Sequence, residues 1–286
     1  MRLFPEGWQD YALLDSGDGQ RLEQIGPYRV VRPDARATWR PALPRSAWDS
    51  ADATFQLAGK AGSWQLRRPL PEKWPITTPE GIGFYAALTP YRHVGFFPEQ
   101  AAHWAWFAAL IRAAGRPVRV LNLFAYTGLA TLAAARAGAT VTHLDAAKKA
   151  VAWGRENAEL AGLADRPIRW IVDDALKFTA REARRGVRYD GLVLDPPPIG
   201  HGPGGETWTF ERSLDELLGL CGAVLSERPL FVAMTAYTAK TRPAALRRAI
   251  AEMPGLPHGT LSAGELALRD SAGRELPTAF YARWQP

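Results

Sequence analysis

Val118-Arg-Val-Leu-Asn-Leu-Phe-Ala-Tyr-Thr-Gly128 is the stretch that decides the fold. An apolar run of strand length ends at a Thr-Gly pair, and an alanine-rich helical stretch follows to Ala137, with Gly138 as its stop. The plan then recurs. Val141-Thr-His-Leu-Asp145 is a second apolar run that ends on a carboxylate. Leu192-Val-Leu-Asp-Pro-Pro-Pro198 is a third, ending on a carboxylate followed by three prolines. In an open α/β sheet, ligands bind beyond the carboxyl ends of the parallel strands, where the strand order reverses. Three such ends in sequence predict a ligand pocket with a reaction position beside it.

Working outward, strands are expected at 118–124, 140–144, 168–172, 190–195 and 229–235, separated by helices at 128–137, 146–161, 174–184 and 211–226. A further helix runs from Thr241-Arg-Pro243 to about Met253, and two strands, 260–269 and 277–284, close the chain through Asp270-Ser-Ala-Gly273. Strands that alternate with helices imply parallel βαβ units. The closing pair implies an antiparallel edge. Ahead of this, Pro98 opens a helix in which Trp104, Phe107, Ala108 and Ile111 share one face. The segment 198–205, rich in Gly and Pro, reads as a loop.

Residues 1–90 read differently. Tyr11-Ala-Leu-Leu before Asp15-Ser-Gly-Asp-Gly19, the run 24–32, and Ser63-Trp-Gln-Leu-Arg-Arg68 look like short strands and turns. Prolines at 33, 41, 44, 69, 71, 75 and 79 argue against long helices. Trp8, Trp39, Trp48, Trp64 and Trp74 all fall here. They could form a base-stacking surface, but packing is the expectation, because large aromatics dominate small cores. Two domains follow: a small β-rich domain over 1–90, a candidate for substrate or RNA recognition, and an α/β domain over 91–286.

Composition narrows the class. With 47% hydrophobic and 22% charged residues, the chain suits a globular protein with a full core. No apolar stretch is long enough to span a bilayer, and Met1-Arg-Leu-Phe-Pro-Glu-Gly-Trp8 lacks a secretory pattern. A single cysteine, Cys221, excludes an internal disulfide and a cysteine metal cluster. Neither the cysteine nor the histidines 93, 103, 143, 201 and 258 show metal-ligand spacing. A cytoplasmic protein with no metal and no membrane partner is expected. The net charge of +6 is mildly basic and compatible with an anionic partner such as RNA, without requiring one.

A dinucleotide fingerprint needs three glycines so that the backbone can approach a pyrophosphate. Phe124-Ala-Tyr-Thr-Gly128 has one glycine and two bulky aromatics. A nucleoside ligand without a phosphate fits better, and S-adenosylmethionine is such a ligand. Phe124, Ala125, Tyr126, Thr127 and Gly128 would line it. Asp145, 17 residues after Gly128 and followed by Ala146, can accept from both ribose hydroxyls or can cap the next helix. Asp173 and Asp174, with Ala175, end the third strand. A carboxylate there can take the adenine amine, and Asp174 is preferred because it directly precedes the helix. Asn157 reads as structural, holding its helix against a neighbouring loop.

Taken together, Asn122-Leu-Phe-Ala-Tyr-Thr-Gly128, Asp145, Glu156-Asn-Ala-Glu-Leu-Ala-Gly-Leu163, Asp173-Asp-Ala-Leu-Lys-Phe178 and Asp195-Pro-Pro197 resemble the class I S-adenosylmethionine-dependent methyltransferases. More narrowly, they look like the bacterial group that modifies large-subunit ribosomal RNA, with cytosine-5 and guanine-N7 members. The resemblance covers about residues 90–286. It implies a Rossmann-like seven-stranded sheet with a reversed last strand and a small β-rich domain ahead of it. It also implies that Tyr91–Gln100, with Phe97 and Gln100, reaches the methionine end of the cofactor.

Asp195, Pro196 and Pro197 are the catalytic candidates. Proline fixes φ and removes a donor, so this turn aims its carbonyls in set directions. Asp195 and the Pro196 carbonyl could hold an amino group or ring nitrogen in line with a methyl donor; Asp195 also borders the cofactor. Two departures from the resemblance matter. Pro198 stands where nitrogen-directed relatives place an aromatic, so stacking would have to come from Tyr126, Trp208, Phe210 or Tyr237. The segment 231–238 has no cysteine, and Cys221 lies on an apolar helical face with Leu214, Leu217, Leu218 and Leu225. Cytosine-5 chemistry needs a thiolate, so it is rejected. The expected activity is methylation of a nitrogen of an RNA base, in rRNA. Alternatives are a small-molecule or protein methyltransferase, or a non-catalytic cofactor-binding protein that interacts with RNA. His201, in the glycine-rich loop, is either a proton shuttle or solvated, and the oligomeric state stays open.

Overall fold

The computed structural model of the protein describes residues 1–58, 61–238 and 240–286. The chain divides into two compact units, one of residues 1–3, 103–265 and 279–286, the other of residues 4–102 and 266–278. The division falls at 102 rather than at 90, and the tip of the closing strand pair joins the residues of the N-terminal unit.

The first unit is built on an eight-stranded sheet. Its order is Arg2–Leu3, Thr260–Arg269, Glu275–Gln285, Phe231–Ala236, Gly191–Leu194, Arg119–Leu123, Thr140–Asp145, Ile168–Val172. Seven of these are the strands expected from the sequence, and the two-residue Arg2–Leu3 extends one edge. The five strands from Arg119 to Ala236 pair in parallel, and Glu275–Gln285 runs antiparallel to Phe231–Ala236. The last strand is therefore reversed, and with Thr260–Arg269 it forms the edge expected of the closing pair, extended only by Arg2–Leu3. Strand order reverses on either side of Arg119–Leu123, whose neighbours are Gly191–Leu194 and Thr140–Asp145. The ends of those three strands are therefore adjacent.

Side chains alternate across a strand, so every second residue of a parallel row faces one layer. Leu121, Leu192 and Val232 form one row and Leu123, Leu194 and Met234 the next. These rows are buried against Phe178, Leu214, Leu217, Leu218, Leu246 and Ile250, from the helices Ala175–Arg184, Phe210–Ala223 and Pro243–Ala251. Each fully buried leucine or valine contributes about 1.5–3 kcal/mol. The helices Ala101–Ala113, Leu129–Arg136 and Lys148–Leu160 also belong to this part of the fold, and Phe107 of the first stacks on Phe231 with ring centroids 5.4 Å apart. Trp104, Phe107, Ala108 and Ile111 are all buried, as the helical face predicts. No helix among the described residues is long and apolar enough to cross a membrane.

The second unit holds a five-stranded sheet in sequence order: Tyr11–Gly17, Gln20–Ile25, Tyr28–Pro33, Ala53–Ala58 and Ala61–Leu66. It also holds a pair, Trp74–Thr77 with Gly83–Ala86. The run 24–32 is not one strand, because Gly26-Pro27 turns it into a hairpin between Gln20–Ile25 and Tyr28–Pro33. The five tryptophans are packing residues. Their indole N–H groups donate to the Pro98, Ser16, Thr89 and Ile25 carbonyls and, for Trp48, to the Asp15 carboxylate. A side chain tethered in this way is poorly suited to act as a free stacking platform.

Candidate functional site

Three strand ends of the first unit are stitched together by backbone bonds that continue the sheet beyond its last regular pairs. The Ala125 N–H donates to the Leu144 carbonyl at 3.0 Å, the Asp173 N–H to the Asp145 carbonyl at 3.2 Å, and the Asp195 N–H to the Leu123 carbonyl at 3.4 Å. The loop 124–128, Asp145, the pair Asp173-Asp174 and Asp195 are thereby brought side by side. Those residues were singled out from the sequence.

The first loop is held in an unusual backbone. Phe124 has φ +58° and Tyr126 φ +48°, a region costly for residues with a Cβ. Gly128 has φ +87° and caps the helix Leu129–Arg136. A Cβ there would meet only ordinary contacts at 3.4–3.5 Å, so backbone conformation rather than crowding calls for glycine. Several groups fix the loop from below. Buried Asn157 donates to the Thr127 carbonyl at 2.9 Å, the structural role expected of it. Asn122 donates to the Thr131 hydroxyl at 2.9 Å, which lies 3.0 Å from His143 Nδ1. Burial pushes the His143 pKa down to about 3, so this ring is neutral. The helix Lys148–Leu160 comes close at Gly154, where a Cβ would sit 2.7 Å from Trp170.

Asp145 faces the same loop. One carboxylate oxygen accepts from the Tyr126 N–H at 2.8 Å and the other from the Ala147 N–H at 2.8 Å. Ala147 is the N-cap position of the next helix, so Asp145 braces that start from outside it and leaves lone pairs on both oxygens. Burial pushes its pKa up, against the pull of those two backbone donors. Asp174 is the N-cap of Ala175–Arg184 and accepts from the Lys177 N–H at 2.9 Å. Asp173 accepts from the Asp174 N–H at 2.8 Å and pairs with Arg181. Ala146 and Ala175 follow their carboxylates directly. Phe97 and Gln100 fall in the second unit, where Phe97 precedes the single turn Pro98–Gln100.

Beyond Asp195, Pro196 is buried, Pro197 half-buried and Pro198 exposed. The Gly/Pro segment 198–205, read as a loop, supplies the first strand and turn of a small hairpin, Ile199–His201 with Thr207–Thr209. Its second strand bonds back to the prolines: the Trp208 indole N–H donates to the Pro197 carbonyl at 2.7 Å, and the Phe210 N–H to the Pro198 carbonyl at 3.0 Å. Trp208 and Phe210 are 4% and 5% exposed, which removes both from the candidates for stacking on a substrate. Tyr126 and Tyr237 are half-buried, and His201 is exposed. Sequence reasoning missed this hairpin. Its available signal was the Gly-rich turn flanked by Ile199 and Trp208. Cys221 is fully buried in the core cluster, and burial pushes its thiol pKa up to about 12. No group of three His, Cys, Asp or Glu side chains able to hold a metal occurs among the described residues.

A family model for S-adenosylmethionine-dependent methyltransferases matches residues 55–228, beginning inside the β-rich unit and spanning all three strand ends. The ribosomal RNA large subunit methyltransferase K/L of Shewanella sp. strain ANA-3 is 32% identical over 154 residues. That match covers 53% of this chain but only 21% of the relative's length. Among solved structures, a SAM-dependent methyltransferase from Agrobacterium tumefaciens is 44% identical with a TM-score of 0.95, covering all of this chain and 93% of that one. A SAM-dependent methyltransferase candidate from Streptococcus mutans shares the fold, with a TM-score of 0.73 at 17% identity over 97% of this chain and 76% of that one. The matched span, the reversed last strand and the stitched strand ends agree, and the chain belongs to the S-adenosylmethionine-dependent methyltransferase family.

Proposed function

We propose that the protein transfers the methyl group of S-adenosylmethionine to a nitrogen of an RNA base, with ribosomal RNA as the substrate class. The observation that carries the chemistry is the Asp195-Pro-Pro-Pro198 turn beside the loop 124–128, tied to it through the Asp195–Leu123 backbone bond. The likeness of 154 residues to a ribosomal RNA methyltransferase and the basic net charge support the substrate class.

The residues present suit this cofactor. Phe124 and Tyr126 leave no glycine cradle for a pyrophosphate, whereas a nucleoside needs only hydrogen-bond acceptors and apolar walls. Asp145 would take the ribose hydroxyls on its remaining lone pairs. Asp174 and Asp173, with Ala175, would border the adenine, and Phe124 to Gly128 would wall the amino-acid end. The cofactor supplies an electrophilic methyl on a positively charged sulfur. Asp195 and the Pro196 carbonyl accept from the N–H groups of the base and aim its nitrogen. A nitrogen that gives up its lone pair becomes positive, so a fixed carboxylate beside it attracts it more at the transition state than before. Orientation of this kind contributes about 7–11 kcal/mol in well-ordered systems.

The reading is tested with tritiated S-adenosylmethionine and ribosomal RNA from a strain lacking the protein. Label is expected in RNA, on a base nitrogen after digestion and mass spectrometry. Label in a protein or small-molecule fraction with none in RNA overturns the substrate class.

A nitrogen acceptor needs no enzyme thiol. Cys221→Ser is therefore expected to leave turnover intact while lowering stability, by about 1–3 kcal/mol for a hydroxyl buried in an apolar core. A melting curve beside an activity assay checks both. Activity lost by orders of magnitude in a folded variant restores a covalent mechanism.

A further inference from the structure

We propose that Trp208 is a positioning residue for methyl transfer, locking the proline turn and the Phe124 ring into one rigid piece so that Asp195 and the Pro196 carbonyl meet the acceptor at a fixed angle. The proposal rests on the reading of Asp195 given above and adds a residue that lies outside the expected motif.

Trp208 touches both halves of the site. Its indole N–H reaches the Pro197 carbonyl at 2.7 Å, and its ring lies 4.9 Å from the Phe124 ring, centroid to centroid, at an angle of 57°. Phe124 is one of the two residues in the cofactor loop with a costly positive φ, a conformation that persists only when its surroundings enforce it. A buried indole against its ring is such an enforcement. On the other side, Gly200 pairs with Trp208 in the hairpin, and a Cβ at Gly200 would stand 3.2 Å from the Pro197 ring. The hairpin therefore lies directly on the prolines.

The turn that returns Trp208 to Pro197 is itself tightly made. The Gly202 N–H donates to the Glu206 carbonyl at 2.8 Å, and the Gly205 N–H to the Gly202 carbonyl at 3.1 Å. The Glu206 carboxylate accepts from the Gly204 N–H at 2.8 Å and pairs with Lys177, three residues after Asp174. The hairpin is thus anchored at the proline turn by Trp208 and at the helix after Asp174 by Glu206. Its effect on the acceptors is specific. The Pro197 and Pro198 carbonyls already accept from Trp208 and Phe210 and are aimed at the hairpin. The hairpin thereby fixes the backbone that carries Asp195 and the Pro196 carbonyl, the acceptors assigned above. Trp208 therefore acts as a brace rather than a stacking partner.

Two variants separate the N–H from the ring. Trp208→Phe keeps a ring against Phe124 and loses the donor to Pro197. S-adenosylhomocysteine affinity by calorimetry should then stay within about twofold, while single-turnover transfer to unmethylated ribosomal RNA falls about 10- to 100-fold, the size of effect produced by a small misplacement of reacting groups. Trp208→Ala loses both contacts and should weaken S-adenosylhomocysteine binding as well. With 15N-labelled tryptophan, the indole resonance missing from Trp208→Phe should be protected from exchange in the wild type and should shift when S-adenosylhomocysteine is added. A folded Trp208→Phe protein with wild-type single-turnover rate overturns the proposal, as does an indole resonance indifferent to S-adenosylhomocysteine. If the wild type methylates no RNA, the substrate reading fails by itself. The resonance and the Trp208→Ala affinity then decide on Trp208, with no change in either rejecting it. Circular dichroism shows whether Trp208→Ala folds, and the Phe variant carries the test if it does not.

Discussion

Asp195→Asn is expected to slow methyl transfer by about a hundredfold or more, the loss seen when one preorganised electrostatic contact is removed from an active site. S-adenosylhomocysteine affinity should change by no more than about threefold, because the contact matters mainly as the acceptor nitrogen gains charge. Asparagine keeps the shape and one carbonyl acceptor but removes the negative charge. Asp195→Ala removes both and should be slower still. The competing role is purely structural. Asp195 follows a buried strand, and its backbone N–H already joins that strand to Leu123. If the side chain only braces the turn, both variants lose thermal stability and the folded fraction reacts normally. Single-turnover rates at saturating cofactor, set against melting curves, separate these outcomes, and unchanged rates remove Asp195 from the chemistry.

The second large effect concerns Asp145. Each charge-assisted hydrogen bond to a ribose hydroxyl contributes about 1.5–3 kcal/mol, so Asp145→Ala should weaken S-adenosylhomocysteine binding about tenfold to a few hundredfold. NAD should not bind. Calorimetry showing tight NAD binding without S-adenosylhomocysteine binding rejects the nucleoside reading of the pocket. The environment of Asp145 adds a pH signature. Burial raises its pKa in the folded protein above the unfolded value. A group shifted in this direction contributes to the stability of the ligand-free fold at low pH, and the contribution is lost as pH rises through the folded pKa. The cofactor needs the opposite state, a carboxylate with free lone pairs. Affinity should therefore fall as pH drops, beginning above the ordinary aspartate range, and the thermal shift given by S-adenosylhomocysteine should be larger at about pH 7.5 than at about pH 5. Asp145→Asn should flatten this dependence.

The parallel strands and the residues at their ends were legible because each is a short apolar run closed by a chemically distinct residue, and that pattern is local. Asp145, Asp174 and Asp195 could be picked out one by one, and the topology then places them together. What could not be read depends on contacts distant in sequence. The hairpin at Ile199–Thr209 forms from residues whose local preference is for turns. Trp208, across that hairpin, is tied to Pro197 by an indole bond. Trp208 and Phe210 resemble exposed loop aromatics in sequence, and only the packing buries them. The closing pair was foreseen as an antiparallel edge, and it forms that end of the sheet, with Glu275–Gln285 beside Phe231–Ala236 and only Arg2–Leu3 added beyond Thr260–Arg269. The split of the run 24–32 at Gly26-Pro27 was a missed local signal rather than a distant one.

The β-rich unit draws residues 266–278 back to strand Tyr11–Gly17. The Ser16 hydroxyl donates to Asp270 at 2.8 Å, Arg274 pairs with Asp15, the Ser271 hydroxyl reaches the Leu14 carbonyl at 2.6 Å, and Leu13 bridges to Asp270. Asp15 and Ser16 are fully buried in the finished protein. During synthesis, the segment that covers them leaves the ribosome well after residue 102, roughly ten to thirty-five seconds later at ordinary elongation rates. The β-rich unit is therefore completed only after most of the first unit has been made. Through that interval the strand Tyr11–Gly17 lacks its Asp270, Ser271 and Arg274 partners, while the Asp15 carboxylate can already accept from the Ala42 and Leu43 N–H groups and the Trp48 indole.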